Sequence, residues 1–193
     1  MIGQELETSL HGLRLIAPDV VRDAPNGVEW LHGVVGRETL GLMGVADAHN
    51  KESDLETETE RITQMIESKD ELAWMLERDG KVVGVIEVRL KDSEYLPAPN
   101  VSTMIGDPTY RGQGLGTAAK HAIIQYMFND YGADALYARH LTRNTISAAG
   151  LRELNFQNDG LVYSDNDGLE WQNMILPKAG YHPREQAYPK EGT

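Results

Sequence analysis

The chain has 193 residues, of which 40% are hydrophobic and 25% charged, and this size and composition are those of one globular domain. Its 30 acidic and 18 basic residues give a formal net charge of −12, so nucleic acid is a poor partner for the surface and a cationic partner is easier to accommodate. The absence of cysteine excludes disulfides, thiolate metal sites and a cysteine nucleophile.

Targeting and metal-binding patterns are also missing from the sequence. The start, MIGQELETSL, lacks the basic region and apolar run of a signal peptide, and no apolar stretch is long enough to span a membrane. The six histidines show no spacing typical of metal ligands, such as HExxH. We therefore expect a cytoplasmic protein with no metal and no membrane partner.

The first elements in chain order are a strand and helices. Residues 12–18 alternate apolar and polar side chains and end at a proline, which predicts a strand. Short apolar clusters broken by glycines predict one or two helices within residues 19–50. Residues 53–68 place their apolar side chains on one helical face and their acidic side chains early, which predicts a helix.

A hairpin and a third strand follow. Residues 72–90 form two β-rich runs around Asp79-Gly80, a favoured two-residue turn pair. Residues 101–107 add a third run, and Pro108 limits its extension. The three runs predict an antiparallel meander.

The second half alternates helices and strands. The pattern predicts a helix over 115–130, a strand over 135–141, a helix over 144–155, strands over 161–165 and 169–177, and an irregular tail over 179–193. We therefore predict a single α/β (α+β) domain over 1–178, with a mixed, mostly antiparallel sheet of about seven strands and helices on both faces. The strand–loop–helix–strand segment around residue 112 should form a right-handed parallel crossover.

The loop YRGQGLG, residues 110–116, places glycines at 112, 114 and 116 directly before a helix. One interpretation is a purely structural turn. The other is a phosphate site, because glycines let successive N–H groups turn inward towards the positive end of a helix. The spacing fits neither the P-loop, which needs a following lysine, nor the dinucleotide fingerprint G-x-G-x-x-G.

The segment DPTYRGQGLGTAA resembles the acetyl-coenzyme A signature of the GCN5-related N-acetyltransferase (GNAT) superfamily, in which Arg or Gln is followed by x-x-G-x-G/A. The order of predicted elements from 12 to 177 resembles the same family. RNTISAAGLRELNF is similar to its second segment, most of all in the ribosomal-protein N-terminal acetyltransferase branch. Two residues depart from the family pattern, Asn155 in place of a glycine and Gly106 in place of a β-branched or aromatic residue.

The resemblance implies a cofactor site for acetyl-CoA. Pyrophosphate would be held by the backbone amides of one loop: Arg111, Gly112, Gln113, Gly114, Leu115, Gly116 and Thr117. The pantetheine arm would bind like an added strand beside Met104, Ile105 and Gly106. Asn144 would orient the cofactor.

The resemblance also implies catalytic residues. Ser147 would donate a hydrogen bond or proton to the departing thiolate, although Asn144 and Ser147 are equally suited to capping a helix. Glu87, in a central strand, would accept the amine proton directly or through water, unless it forms an exposed ion pair. Tyr137, His140 and Ser102 are further candidates for the base.

Three functions remain open at this point. The first is an N-acetyltransferase that moves an acetyl group from acetyl-CoA to an amine, on a small molecule or a peptide N-terminus, by direct attack. The second is a non-catalytic acyl-CoA sensor of the same fold, and the third is a structural protein with a glycine turn. Dimers are common in the family, so a homodimer is compatible with the resemblance.

Overall fold

Eight strands and five helices make up the protein in the computed structural model, which describes residues 4–46 and 52–181. The strands are β1 Leu6–Glu7, β2 Leu13–Ile16, β3 Glu71–Arg78, β4 Lys81–Arg89, β5 Asn100–Ile105, β6 Ala135–Leu141, β7 Gln157–Ser164 and β8 Glu170–Pro177. The helices are α1 Val20–Leu31, α2 Gly33–Leu42, α3 Leu55–Glu67, α4 Leu115–Tyr126 and α5 Thr145–Glu153.

All eight strands belong to one mixed sheet in the order β1-β2-β3-β4-β5-β6-β8-β7. Every neighbouring pair is antiparallel except β5 and β6, which are parallel. The predicted fold class is therefore confirmed. The sheet contains one strand more than about seven because the two-residue strand β1 pairs with β2.

The parallel pair β5–β6 opens into a cleft. Within the described residues, the two strands pair at a single position, where Asn100 lies opposite Tyr137 and the Tyr137 N–H donates to the Pro99 carbonyl at 2.8 Å. Beyond this position, the described residues of the two strands form no further ladder. The carboxyl ends of β5 and β6 therefore lie apart, at the place where open α/β sheets bind ligands.

Two hydrophobic cores cover the two faces of the sheet. Helices α4 and α5 pack on one face, in a core that includes Trp74, Ile123 and Leu151. Helices α1 and α3 cover the other face, where Trp30 and Ile62 are buried. The helices are therefore on both faces, as predicted, and the cleft between β5 and β6 connects the two faces.

Local sequence signals account for several turns and helix ends. Asp79 and Gly80 have φ values of 51° and 81°, the left-handed pair that a tight hairpin requires. Asn155 closes α5 with φ 67°, the conformation that asparagine tolerates best after glycine. The predicted helix over 115–130 is α-helical only to Tyr126 and continues as a π-helical turn over Met127–Tyr131.

Some predictions cannot be compared with the structure. The predicted helices within 19–50 correspond to α1 and α2, but residues 47–50 lie outside the described part of the chain. The same holds for residues 182–193 of the predicted tail, which begins with a short helical turn at Lys178–Gly180. The domain bounds 1–178 remain a prediction.

Candidate active site

The glycine loop forms an open cradle at the start of α4. Gly112 and Gly114 have φ values of 74° and 78°, and no atom lies within 4 Å of the point where a Cβ would stand on either residue. Gly114 is also the N-cap of α4 and supplies no side-chain cap. The first N–H groups of this helix are therefore available to an anion.

The Arg111 side chain supports the cradle from behind. Its Nε donates to the Ile105 carbonyl at 3.0 Å, and its Nη2 donates to Thr39 Oγ1 at 2.8 Å and to the Gly106 carbonyl at 3.2 Å. These bonds tie the loop to the end of β5 and to α2. The Arg111 guanidinium therefore stabilises the position of the loop through contacts within the protein, and the backbone of Arg111 forms part of the loop.

The alternating directions of the backbone N–H and C=O groups along β5 show which of them face the cleft. The Pro99 carbonyl points to β6 and the Gly106 N–H donates to the Val83 carbonyl in β4 at 2.9 Å. Because backbone groups alternate sides along a strand, the N–H groups of Thr103 and Ile105 point into the cleft. Of the three residues that the sequence placed beside the pantetheine arm, Met104, Ile105 and Gly106, only Ile105 has its N–H in the cleft. Thr103 was missed because the side to which a backbone N–H points is known only once the pairing of the strands is known.

Gly106 is explained by a contact with α1. A Cβ on this residue would overlap the indole ring of Trp30. The family that the sequence resembles more often has a β-branched or aromatic side chain at this position. In this protein the indole ring of Trp30, from α1, occupies that space. The cleft is bounded at this point by Trp30.

Asn144 and Ser147 lie at the start of α5, on the other side of the cleft. Asn144 Oδ1 accepts a hydrogen bond from the Ser147 N–H at 3.1 Å, so Asn144 caps the helix. Within the described residues, the Ser147 hydroxyl takes part in no hydrogen bond, so the capping role that the sequence left open belongs to its backbone.

Helix α2 contacts both sides of the cleft. Thr39 accepts from Arg111 on the β5 side, and the Leu42 carbonyl accepts from Asn144 Nδ2 at 3.4 Å on the β6 side. The Gly41 carbonyl also accepts from Arg143 Nη2 at 3.0 Å. The end of α2 therefore bridges the two sides of the cleft.

Glu87 lies on the opposite face of the sheet from α5. Its Oε2 accepts from Ser102 Oγ at 3.3 Å, and its Oε1 is 3.9 Å from Arg61 Nη1 of α3. The structure thus brings Glu87 and Ser102 together but does not join Glu87 to Ser147. The ion pair that the sequence allowed for Glu87 is present, with Arg61 as the partner.

Lys120 lies one helical turn after Gly116. Its Nζ is 3.9 Å from the point where a Cβ of Gly116 would stand, and Thr103 Cγ2 is at the same distance from that point. Burial lowers the pKa of Lys120 to about 8. Sequence reasoning missed this amine because a lysine within a helix gives no signal of its surroundings.

Other candidate sites are not supported in the described part of the chain. Residues 4–46 and 52–181 contain no cluster of acidic or histidine side chains that could hold a metal ion. No helix within those ranges is both long and apolar enough to cross a membrane. A groove of about 320 Å³ between β1 and the far end of α4 contains none of the candidate catalytic or cofactor-binding residues.

Comparison with known proteins identifies the class. A sequence model of the acetyltransferase (GNAT) domain matches residues 23–157. The chain therefore belongs to the GNAT acetyltransferase family. No curated protein matches the sequence.

Solved structures of acetyltransferases share the fold. A probable acetyltransferase superposes with a TM-score of 0.73 at 18% identity, covering 91% of this chain and 99% of its own. The microcin C7 self-immunity acetyltransferase MccE, solved with acetyl-CoA and AMP, gives 0.70 at 16% identity over 87% of this chain and 93% of its own. RimL, the ribosomal L7/L12 α-N-protein acetyltransferase, solved with coenzyme A, gives 0.72 at 13% identity over 92% and 99%.

The residues present fit an acyl-coenzyme A. The space above Gly112 and Gly114 is open and could hold a pyrophosphate, which side chains on those two residues would obstruct. The unpaired edge of β5 offers N–H groups to the amides of a pantetheine arm. The glycine loop meets the edge of β5 at Ile105, because the Arg111 side chain donates a hydrogen bond to the Ile105 carbonyl.

Proposed function

We propose that the protein is an N-acetyltransferase that transfers the acetyl group of acetyl-CoA to an amine by direct attack. The observation that carries this proposal is the open glycine cradle at the start of α4, next to the cleft between β5 and β6. Backbone N–H groups from Gly112 to Thr117 bind the pyrophosphate with the positive end of α4 behind them, whereas the Arg111 N–H donates to the Pro108 carbonyl at 3.2 Å.

Backbone and side-chain groups of the cleft assist the reaction. Acetyl-CoA supplies an activated thioester carbonyl, and an N–H group of the β5 edge, at Thr103 or Ile105, donates to the oxygen that gains charge. As the amine nitrogen bonds to the carbonyl carbon and the carbon–sulfur bond breaks, the Ser147 hydroxyl passes its proton to the leaving thiolate and regains one from water. Asn144 positions Ser147 by capping α5.

Glu87 is the proposed acceptor of the proton that the amine loses. An alkylamine has a pKa of about 10 and must be deprotonated to attack. Because Glu87 lies on the α3 face, the proton would reach it through water and the Ser102 hydroxyl, which is 3.3 Å from Glu87 Oε2. The acceptor amine therefore approaches the cleft from the α3 face.

The overall charge of the chain favours a cationic acceptor, because the formal net charge is −12. Around Glu87 the charges are mixed. Burial, followed by the charge of Glu87, raises the pKa of Glu71 on the neighbouring strand, while Arg89 and Arg61 act in the opposite direction. Both a small-molecule amine and a peptide N-terminus meet the requirement for a cationic acceptor, and similarity to RimL favours the peptide.

Calorimetric titration with acetyl-CoA tests the cofactor site. Gly114→Asn places a side chain in the cradle. Gly132→Asn is a matched control, directly after the π-helical turn that follows α4, because both glycines have positive φ, 78° and 84°, and no atom of another residue near the position of a Cβ. Asparagine tolerates this conformation, so both variants should fold. We expect at least about tenfold weaker binding for Gly114→Asn only, which is about 1.4 kcal/mol.

Two outcomes would contradict the cofactor site. A folded wild-type protein that does not bind acetyl-CoA would leave the glycines as a structural turn. Equal losses of affinity in Gly114→Asn and Gly132→Asn would show that backbone strain, rather than the cradle, governs binding.

A separate measurement distinguishes an enzyme from a sensor. Release of coenzyme A thiol is followed with a panel of amines and peptides in the presence of acetyl-CoA. Release that depends on an amine establishes turnover. Binding of acetyl-CoA without release for any acceptor in the panel would favour the sensor.

A further inference from the structure

The α3 face of the sheet is accessible at the level of Glu87. Paired residues of neighbouring strands point to the same face, and Glu87 on β4 lies opposite Ser102 on β5. Ser102 is exposed, although β5 lies in the middle of the sheet. A ligand can therefore reach the sheet surface beside the proposed base.

Arg139 of β6 points to the same face, on the other side of the cleft. Its neighbour Ala138 is in the α4 core, so the side chain of Arg139 points away from that core. Counted from the single position at which β5 and β6 pair, Ser102 and Arg139 are each two residues further along their strands. The polar surface of Glu87 and Ser102 therefore continues across the cleft to Arg139.

Aromatic neighbours hold the Arg139 guanidinium in place. Its central carbon, Cζ, lies 4.0 Å from the centre of the Trp171 ring, and its Nη1 donates to the Tyr163 hydroxyl at 3.3 Å. Trp171 is itself fixed, because its Nε1 donates to Asp165 Oδ2 at 2.8 Å and its ring contacts Gly44 after α2. The cation is thus positioned by contacts within the protein.

Much of the hydrogen-bonding capacity of Arg139 is unused. A guanidinium has five N–H groups, and within the described residues Nε and Nη2 donate to no acceptor and no carboxylate forms an ion pair with them. Neither nitrogen is fully buried, and the side chain is partly exposed. A fixed cation with free N–H groups is suited to a carboxylate or a phosphate, which it can bind through two parallel hydrogen bonds.

We propose that Arg139 is a specificity-determining residue that binds an anionic group of the acceptor, a carboxylate or a phosphate, while the amine lies near Ser102 and Glu87. This inference rests on the proposed function, because it assumes that the amine approaches from the α3 face. The acceptor is thus an amine that also carries an acidic group. The net charge of −12 acts at long range on the approach of the acceptor, whereas Arg139 acts at contact.

The strand order indicates how far apart the two groups of the acceptor are. The guanidinium lies over Trp171 of β8, which is on the far side of β6 from Ser102. Neighbouring strands are about 4.8 Å apart, so the acidic group stands at least about 5 Å from the amine. A peptide whose second residue is acidic meets this requirement.

The experiment measures release of coenzyme A thiol with matched acceptors. They are dipeptide amides in which alanine is followed by glutamate, phosphoserine or glutamine, so that only the second side chain differs in charge. We expect kcat/KM of the wild-type protein to be at least about tenfold higher for an acidic peptide than for the glutamine peptide. The ratio between the two acidic peptides shows whether the site takes a carboxylate or a phosphate.

Two variants assign this preference to a residue. Arg139→Gln should bring the ratio of kcat/KM for acidic and neutral peptides to about one. Arg152→Gln is the matched control, because it removes the same charge from an exposed position in the last turn of α5, and it should keep the preference. Thermal unfolding and calorimetric titration with acetyl-CoA verify that both variants fold and bind the cofactor as the wild type does.

The outcomes separate the inference from the proposed function. Turnover by the wild type without preference for acidic peptides would overturn the inference and leave the proposed function standing. A preference that survives in Arg139→Gln, or that is lost equally in Arg152→Gln, would also overturn the inference. No release of coenzyme A with any acceptor would overturn the proposed function, and the inference with it.

Discussion

Lys120 shows how one side chain couples the cradle to pH. Its Nζ lies beside Gly116, and burial lowers its pKa to about 8. A group with a lowered pKa is half protonated near that pH, whereas an ordinary lysine is fully protonated. A bound phosphate stabilises the protonated form and so raises this pKa again.

We therefore predict that acetyl-CoA binding takes up protons near pH 8. The uptake should approach about half a proton, and affinity should weaken as the pH rises from 7 towards 10, because the protonated amine is then lost. Calorimetry in buffers with different ionisation enthalpies measures the uptake. Lys120→Met should abolish it, and persistence of the uptake in this variant would assign it to another group.

Substitution of Ser147 distinguishes between a catalytic role of its hydroxyl and a structural role in capping the helix. Its backbone N–H donates to Asn144, and its hydroxyl has no partner within the described residues. We predict that Ser147→Ala lowers kcat for acetyl transfer while changing the free energy of unfolding by less than about 0.5 kcal/mol. Steady-state kinetics and denaturant unfolding measure the two effects.

Two variants serve as controls for Ser147→Ala. Thr145→Ala removes another hydroxyl from the same turn and should leave kcat unchanged. Asn144→Ala removes the cap and should cost about 1 kcal/mol of stability. If Ser147→Ala kept full kcat, the thiolate would be protonated by another group.

At the scale of the elements, the sequence predicts local structure well and contacts between distant elements poorly. The Asp79-Gly80 turn and the left-handed Asn155 follow from the conformational preferences of those residues alone. The glycine loop and its helix are equally local. By contrast, Arg111 bonds to Thr39, 72 residues away, which no nearby residue indicates.

The site was predictable to the same extent. The loop residues and the α5 cap are recognisable from motifs, because short-range geometry determines them. The β5 edge depends on which strand pairs with which and in what register, so Thr103 could not be assigned a role from the sequence. The face of Glu87 was ambiguous for the same reason, and its contact with Arg61 of α3 decides it.

At the scale of the whole molecule, charge affects how the cofactor arrives. Both the protein, with a formal charge of −12, and acetyl-CoA are anionic, so they repel each other at long range. Raising the ionic strength from about 0.01 M to about 0.1 M shortens the screening length from about 30 Å to about 10 Å. The repulsion is then largely screened.

We predict that the association rate constant of acetyl-CoA rises over this range of ionic strength. Surface plasmon resonance with immobilised protein measures the rate, and neutral sucrose at matched viscosity controls for solvent effects. A steep fall of the rate with salt would contradict the prediction. It would mean that local cations such as Arg143 and Lys120 dominate the field at the cleft.

The contact between Trp30 and Gly106 has an optical consequence. Trp30 is packed against the end of β5, at the boundary of the cleft, while Trp74 is buried in the α4 core beside Tyr126. Indole fluorescence responds to changes in its immediate surroundings. The chain therefore carries an intrinsic fluorophore at the point where ligand and strand would meet, and we expect a ligand in the cleft to change its emission above the background of Trp74 and Trp171.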